Sequence, residues 1–256
     1  FNIREYSVSL RLRSMDSTAG QLMSSVSTPT VSPVMRAGAV AWIGLAGLAV
    51  AMGIGRFAFT PVLPLMQQEG SVTLVQGGWL ATANYLGYLA GALICIGWHP
   101  GPARAVRWGL LSIAVLTFAM GLTEGFWIWL ILRLLAGAAS AFVLVGVSAW
   151  AMPRLALARK KTWSGYVFSG VGVGICATGV ICLAAGSLAF GARSTWICLG
   201  GVAAVFALAL WLPLRGDDGH EVPETKSRAA PLSGAARLAA LCYGAFGYGY
   251  IIPATF

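Results

Sequence analysis

Residues Gly53–Pro64 read GIGRFAFTPVLP, and they sit near the far end of the first long apolar run of the chain. The stretch sets Arg56 between a Gly-x-Gly pair, Gly53 and Gly55, and two prolines, Pro61 and Pro64. An apolar run of about 20 residues matches the thickness of a hydrocarbon core, so this arginine lies inside a membrane span. A charge at that depth costs about 2.5–3.5 kcal/mol on insertion scales, and it therefore needs a partner, water or a task.

Composition fixes the solvent. Of 256 residues, 58% are hydrophobic and 10% charged, too few charges to cover a water-soluble surface of this size. The net charge of +9 would suit nucleic acid if it formed a basic patch, but the basic residues fall in short loops between apolar runs. That is the pattern of membrane orientation, and it excludes a nucleic-acid partner. The five cysteines, Cys95, Cys176, Cys182, Cys198 and Cys242, all lie within apolar runs and without metal-ligand spacing. They read as small buried apolar side chains, and no metal or cofactor is expected. The two histidines, His99 and His220, stand alone in loops, so the His and carboxylate clusters that an integral membrane enzyme needs are missing.

The expected fold is all-α, a polytopic bundle in four parts. Residues 1–36 are rich in Ser and Thr and read as a disordered cytosolic tail, with Met15, Met23 and Met35 as alternative starts. Residues 37–214 hold six spans: Ala37 to Phe59, Gly77 to Ile96, Ala105 to Leu122, Phe126 to Trp150, Ser164 to Ala189, and Thr195 to Leu214. Pro61 and Pro64 are expected to end the first. Thr123–Gly125 is short enough to make spans 3 and 4 antiparallel neighbours. Residues 215–234 form a polar linker, and residues 235–256 open a seventh span that the sequence leaves truncated.

With the tail inside, the inner loops hold Arg104, Arg107, Arg154, Arg159, Lys160 and Lys161, then Arg215, Lys226, Arg228 and Arg237, whereas the outer loops hold Arg193. The asymmetry places the N-terminus in the cytosol. Trp127 and Trp129 at the outer end of span 4, and Trp108, Trp150 and Trp163 near the inner face, are expected to be interfacial anchors.

At about 1.5 Å per residue, Arg56 lies about 8–10 Å inside the outer end of span 1, and Arg133, in the antiparallel span 4, about 10 Å below the same surface. Tyr85 in span 2, beside Asn84, falls about 12 Å from that surface, and Tyr248 and Tyr250 in span 7 reach the same slab. No Asp, Glu or His lies within the spans. Two cations at one depth without an anion face a water-filled cavity, pair with a carboxylate supplied elsewhere, or bind an anionic ligand.

The segments GIGRFAFTPVLPLM, NYLGYLAGAL in span 2 and FGYGYIIPATF at the end resemble the YbfB/YjiJ-type branch of the major facilitator superfamily. The resemblance runs from Ala37 to Phe256 and implies the N-terminal six-helix half of such a transporter plus the start of its seventh helix. The superfamily's fourth-helix pattern matches Arg133, Gly137, Ala138, Ala139 and Ser140, and the resemblance implies that Arg133 takes part in proton or substrate coupling. A Gly-rich fifth-helix pattern is echoed by Gly170, Gly172, Gly174 and Gly179 without its proline, so antiport does not carry over. The loop after span 2 reads Gly97, Trp98, His99, Pro100, Gly101 and lacks the family's aspartate. Gly53-x-Gly55-Arg56 with Pro61, and Gly247-x-Gly249-Tyr250 with Pro253, echo one another as parallel repeats do, a relation for which this superfamily is a standing example. In that architecture Arg56, Arg133 and Tyr250 line the central cavity.

The resemblance thus implies a secondary transporter of a bacterial inner membrane working by alternating access, but it names no substrate; a small organic anion is expected because Arg56 and Arg133 share a depth without a counterion, with Arg56, Arg133, Asn84, Tyr85 and Tyr250 as substrate or coupling residues. Proton coupling would require a carboxylate from beyond Phe256, in the missing C-terminal half. Gly53, Gly55, Gly137, Gly170 and Gly174 are expected at close helix contacts within the bilayer. The alternatives are a multidrug-type exporter of the same superfamily and a non-transporting membrane fragment. For Arg133 itself, the competing reading is a structural arginine bonded to backbone carbonyls.

Overall fold

A computed structural model describes residues 35–98, 101–215, 234–235, 238–239 and 241–242. The expected tail, most of the linker and seventh span, and Tyr250 with them, lie outside the described residues.

Among the described residues the chain is all-α, with six helices long and apolar enough to cross a membrane. They are α1 (Ala37–Gln68), α2 (Leu74–Gly97), α3 (Pro102–Leu122), α4 (Phe126–Leu157), α5 (Ser164–Ser187) and α6 (Ala192–Arg215). Hydrocarbon offers no partner to a free N–H or C=O, so each apolar run closes its own hydrogen bonds as a helix. The result is a multi-pass membrane protein.

Helix ends follow local chemistry. Thr73 opens α2 with a reciprocal capping box, its hydroxyl accepting from Gln76 N–H at 3.2 Å while the Gln76 side chain accepts from Thr73 N–H at 2.9 Å. Gly125, at φ 112°, makes the tight turn from α3 into α4 in a conformation that side chains resist. Glu69, just beyond α1, accepts from the N–H of Ala192 at 2.7 Å and so satisfies a first-turn donor of α6.

Span 1 does not end at Phe59. It runs to Gln68 in three segments, α-helical Ala37–Leu48, π-helical Ala49–Phe57 and α-helical Phe59–Gln68. Pro61 is the third residue of the last segment and supplies no N–H to the carbonyls of Arg56 and Phe57 one turn behind it, a gap that membrane helices fill with bonds from their neighbours. Pro64, one turn on, is of the kind membrane helices absorb. Span 4 likewise continues past Trp150 to Leu157 with Pro153 inside it.

α1 packs along α5 and against α4, α2 lies along α4, and α3 fits between α4 and α6. The close approaches are made at glycines. A Cβ on Gly53 would meet the backbone of Gly174, one on Gly174 that of Ala49, and one on Gly170 that of Leu45, all between α1 and α5. Between α2 and α4 the same holds for Gly137 against Asn84 and for Gly87 against Leu134. Backbones this close gain dispersion contacts, which substitute for the hydrophobic drive that lipid removes.

The tryptophans divide. Trp127 and Trp108 are exposed at 73% and 55%, as an interfacial belt requires, and Trp163 at 39%. Trp129 and Trp150 are buried at 7% and 1% exposure and are not anchors. Trp129 can be buried because its indole N–H reaches the carbonyl of Thr123 at 3.1 Å.

Candidate functional site

Four of the five predicted substrate or coupling residues come together where α1, α2 and α4 meet. The fifth, Tyr250, lies outside the described residues. Arg133 enters from α4 and is 3% exposed; its Nη2 donates to the backbone carbonyl of Arg56 at 3.0 Å. Asn84 enters from α2 and is 1% exposed. Its amide nitrogen donates to two carbonyls, that of Arg133 at 2.9 Å and that of Gly55 at 3.3 Å. Asn84 thus ties α1 to α4 beside both arginines.

These bonds fall on the carbonyls of the π-helical stretch. A π-turn closes i→i+5 rather than i→i+4, and such segments recur at functional sites because they interrupt the regular ladder. Within it, Ala51, Gly55 and Arg56 each accept a side-chain hydrogen bond from α2 or α4. The third donor is Ser140, fully buried, whose hydroxyl lies 3.0 Å from the carbonyl of Ala51 and 2.9 Å from that of Ala136. Gly55 leaves the room, since a Cβ there would stand 2.5 Å from Ser140 Oγ.

The Arg56 side chain is half-buried and faces aromatic rings. Its guanidinium carbon lies 4.2 Å from the ring centre of Tyr88, 5.2 Å from that of Tyr85 and 5.5 Å from that of Phe57. Arg133 stands similarly 5.0 Å from the ring of Phe59. Ring faces attract a cation without neutralising it, so net positive charge remains for an anion to meet. Nε of Arg56 and of Arg133 is buried without a hydrogen-bond partner. Among the described residues the acidic side chains are Glu69 and Glu124, both at helix ends.

Sequence arithmetic placed Arg56 too shallow. With α1 reaching Gln68, it lies about 18 Å from that end. The shared level of the two arginines is observed directly in the bond between them. Tyr88 belongs to the cluster although it was not among the predicted site residues; its spacing of three from Tyr85 on one helix face is the signal. Ser140 carried a signal only as a small residue. Phe57 and Phe59 carried none beyond adjacency.

A cleft of about 290 Å³ opens elsewhere, at the ends of α1, α3, α4 and α6, lined by Glu69, Glu124, Arg193 and Trp196 among others. It touches neither arginine of the cluster. Among the described residues no group of His, Cys, Asp and Glu is arranged to hold a metal ion.

Comparison with known proteins agrees with this architecture. A curated relative, the uncharacterized MFS-type transporter YceJ of Bacillus subtilis (strain 168), is 33% identical over 94 residues, which cover 36% of this chain and 24% of the relative. The chain therefore spans about a quarter of the length of the curated relative it matches. Residues 48–256 match the model of a transporter family, not an enzyme family, and the chain belongs to that family, described as uncharacterised MFS-type transporter YbfB.

Proposed function

We propose that this chain forms the N-terminal bundle of a secondary transporter that moves small organic anions by alternating access across a bacterial inner membrane. One observation carries the anion: Arg133 is 3% exposed within a spanning helix, spends one hydrogen bond on a backbone carbonyl, and has no carboxylate in any described span. A guanidinium has five N–H donors in a planar fork suited to carboxylate, so most of its capacity is uncommitted. Arg56 adds a second cation at the same level. The helix contacts of α1 with α4 supply a rigid floor for the site, and alternating access then rocks this bundle against the second half of the protein.

The positive charges near the ends of α3 and α4 support a cytosolic N-terminus. A proton as coupling ion would need a titrating carboxylate from the second half. The test is uptake of labelled mono- and dicarboxylates into proteoliposomes holding the full-length protein. Uptake that disappears in the Arg56→Gln, Arg133→Gln double variant supports the reading. Unchanged anion uptake in that variant, or transport confined to cations, overturns it.

A further inference from the structure

We infer that Asn84 and Ser140 are positioning residues that hold α1 in its π-helical register and thereby aim Arg56. Three observations converge. The π-helical stretch spans Ala49–Phe57, far longer than the single-turn bulge in which this geometry usually occurs. Its own residues, AVAMGIGRF, hold no proline and no side chain that competes for the backbone, and the nearest local disturbance is Pro61, which leaves the carbonyls of Arg56 and Phe57 without its N–H. What does distinguish it is external: carbonyls at Ala51, Gly55 and Arg56 bond to Ser140, Asn84 and Arg133 on neighbouring helices.

The geometry of the three donors differs in a way that assigns the roles. Ser140 and Asn84 are 0% and 1% exposed; the Asn84 amide has two N–H groups and bonds Gly55 of α1 and Arg133 of α4 together, whereas the single O–H of Ser140 is shared between Ala51 of α1 and Ala136 of its own helix. They are therefore fixed to α4 and grip α1 from it. Arg133 makes its bond to α1 with a side chain that also serves as the proposed anion ligand. Arg133 divides its donors between α1 and the proposed anion, whereas Asn84 and Ser140 have no such second task and serve the register alone.

Loss of the π-turns moves the register by at least one residue, about 100° of helix rotation. The outer half of α1, Phe59–Gln68, would turn relative to Ala37–Leu48, and Arg56 would leave the rings of Tyr85 and Tyr88. The functional consequence rests on the anion reading, but the register does not.

The test measures register directly. Spin labels are placed on exposed Thr60 of α1 and exposed Leu122 at the end of α3, in full-length protein whose native cysteines are replaced by serine. Asn84→Leu removes the grip on Gly55 together with its anchor on Arg133, with little change of volume, and Ser140→Ala, a smaller change, removes the grip on Ala51 without threatening the fold. In at least one variant the label distance shifts by about 5–8 Å, as expected for a one-residue rotation of a helix 10–12 Å across. An unchanged distance in both overturns the inference, whatever the transport assay shows. Anion uptake lost in these variants through a raised KM, with the distance shifted, ties the register to Arg56; a failure of anion uptake in the parent protein would count against the anion reading alone.

Discussion

Arg133 donates its Nη2 hydrogen bond to the backbone carbonyl of Arg56, 77 residues earlier in the chain, at 3.0 Å. One cation is thus held by the main chain of the residue that bears the other. A hydrogen bond from a charged donor contributes about 1.5–3 kcal/mol net, enough to hold Arg133 in place but not to offset the burial of its charge. The remaining cost is what an anionic substrate would relieve.

The rings around Arg56 should act through their faces. Tyr88, at 4.2 Å from the guanidinium carbon, makes the shortest of its ring contacts. Tyr88→Phe, which keeps a ring, is expected to transport closer to the parent than Tyr88→Leu. For the leucine variant KM should rise about fivefold, corresponding to about 1 kcal/mol of lost cation–π attraction. Proteoliposome kinetics at varied substrate concentration checks this.

The glycines should separate sharply by what stands opposite them. At Gly87 an added Cβ meets the carbonyl of Leu134, which cannot turn aside, so α2 and α4 must part. Gly87→Ala is expected to cost about 1–3 kcal/mol. Gly172 and Gly179 in α5 have nothing within 4 Å of that position. Alanine there should be neutral or stabilise by up to about 1 kcal/mol. Thermal unfolding of the purified variants in detergent measures both.

Glu69 should matter to α6 rather than to α1, where the chain places it. Its carboxylate accepts from Ala192 N–H and faces the positive end of that helix. Glu69→Ala is expected to lower stability by about 0.5–1 kcal/mol, discounted for exposure, and to raise hydrogen exchange in the first turn of α6. An unaltered exchange rate at residues 192–195 would contradict the capping role.

Much of this was legible in the chain. Six spans follow from apolar runs of membrane length, whereas the count that set Arg56 level with Arg133 started from a misplaced end of α1, so the bond between them is a finding of the structure. The ends themselves were misplaced because proline is a terminator in water, whereas Pro61, Pro64 and Pro153 are carried within membrane helices, and the Arg56 carbonyl behind Pro61 is met by Arg133. Trp150 and Trp129 look like anchors by position, but anchoring depends on which face of α4 they occupy, and both point into the bundle. The π-helical stretch could not be read at all. It accompanies bonds from Ser140, Asn84 and Arg133, which are remote in sequence, and the local features, Gly53, Gly55 and the nearby Pro61, disturb a helix without specifying a π-turn.

The most direct measurement is ligand stabilisation of the purified full-length protein by a matched panel of small organic anions, cations and neutral compounds. A ligand present at 100 times its Kd stabilises the folded state by about 2.7 kcal/mol, which is readily seen as a raised unfolding temperature. The account predicts that at least one anion raises it, that the corresponding neutral amide does not, and that the Arg56→Gln, Arg133→Gln variant loses the response. Stabilisation by cations or neutral compounds alone, or an anion response that survives in the double variant, would contradict it.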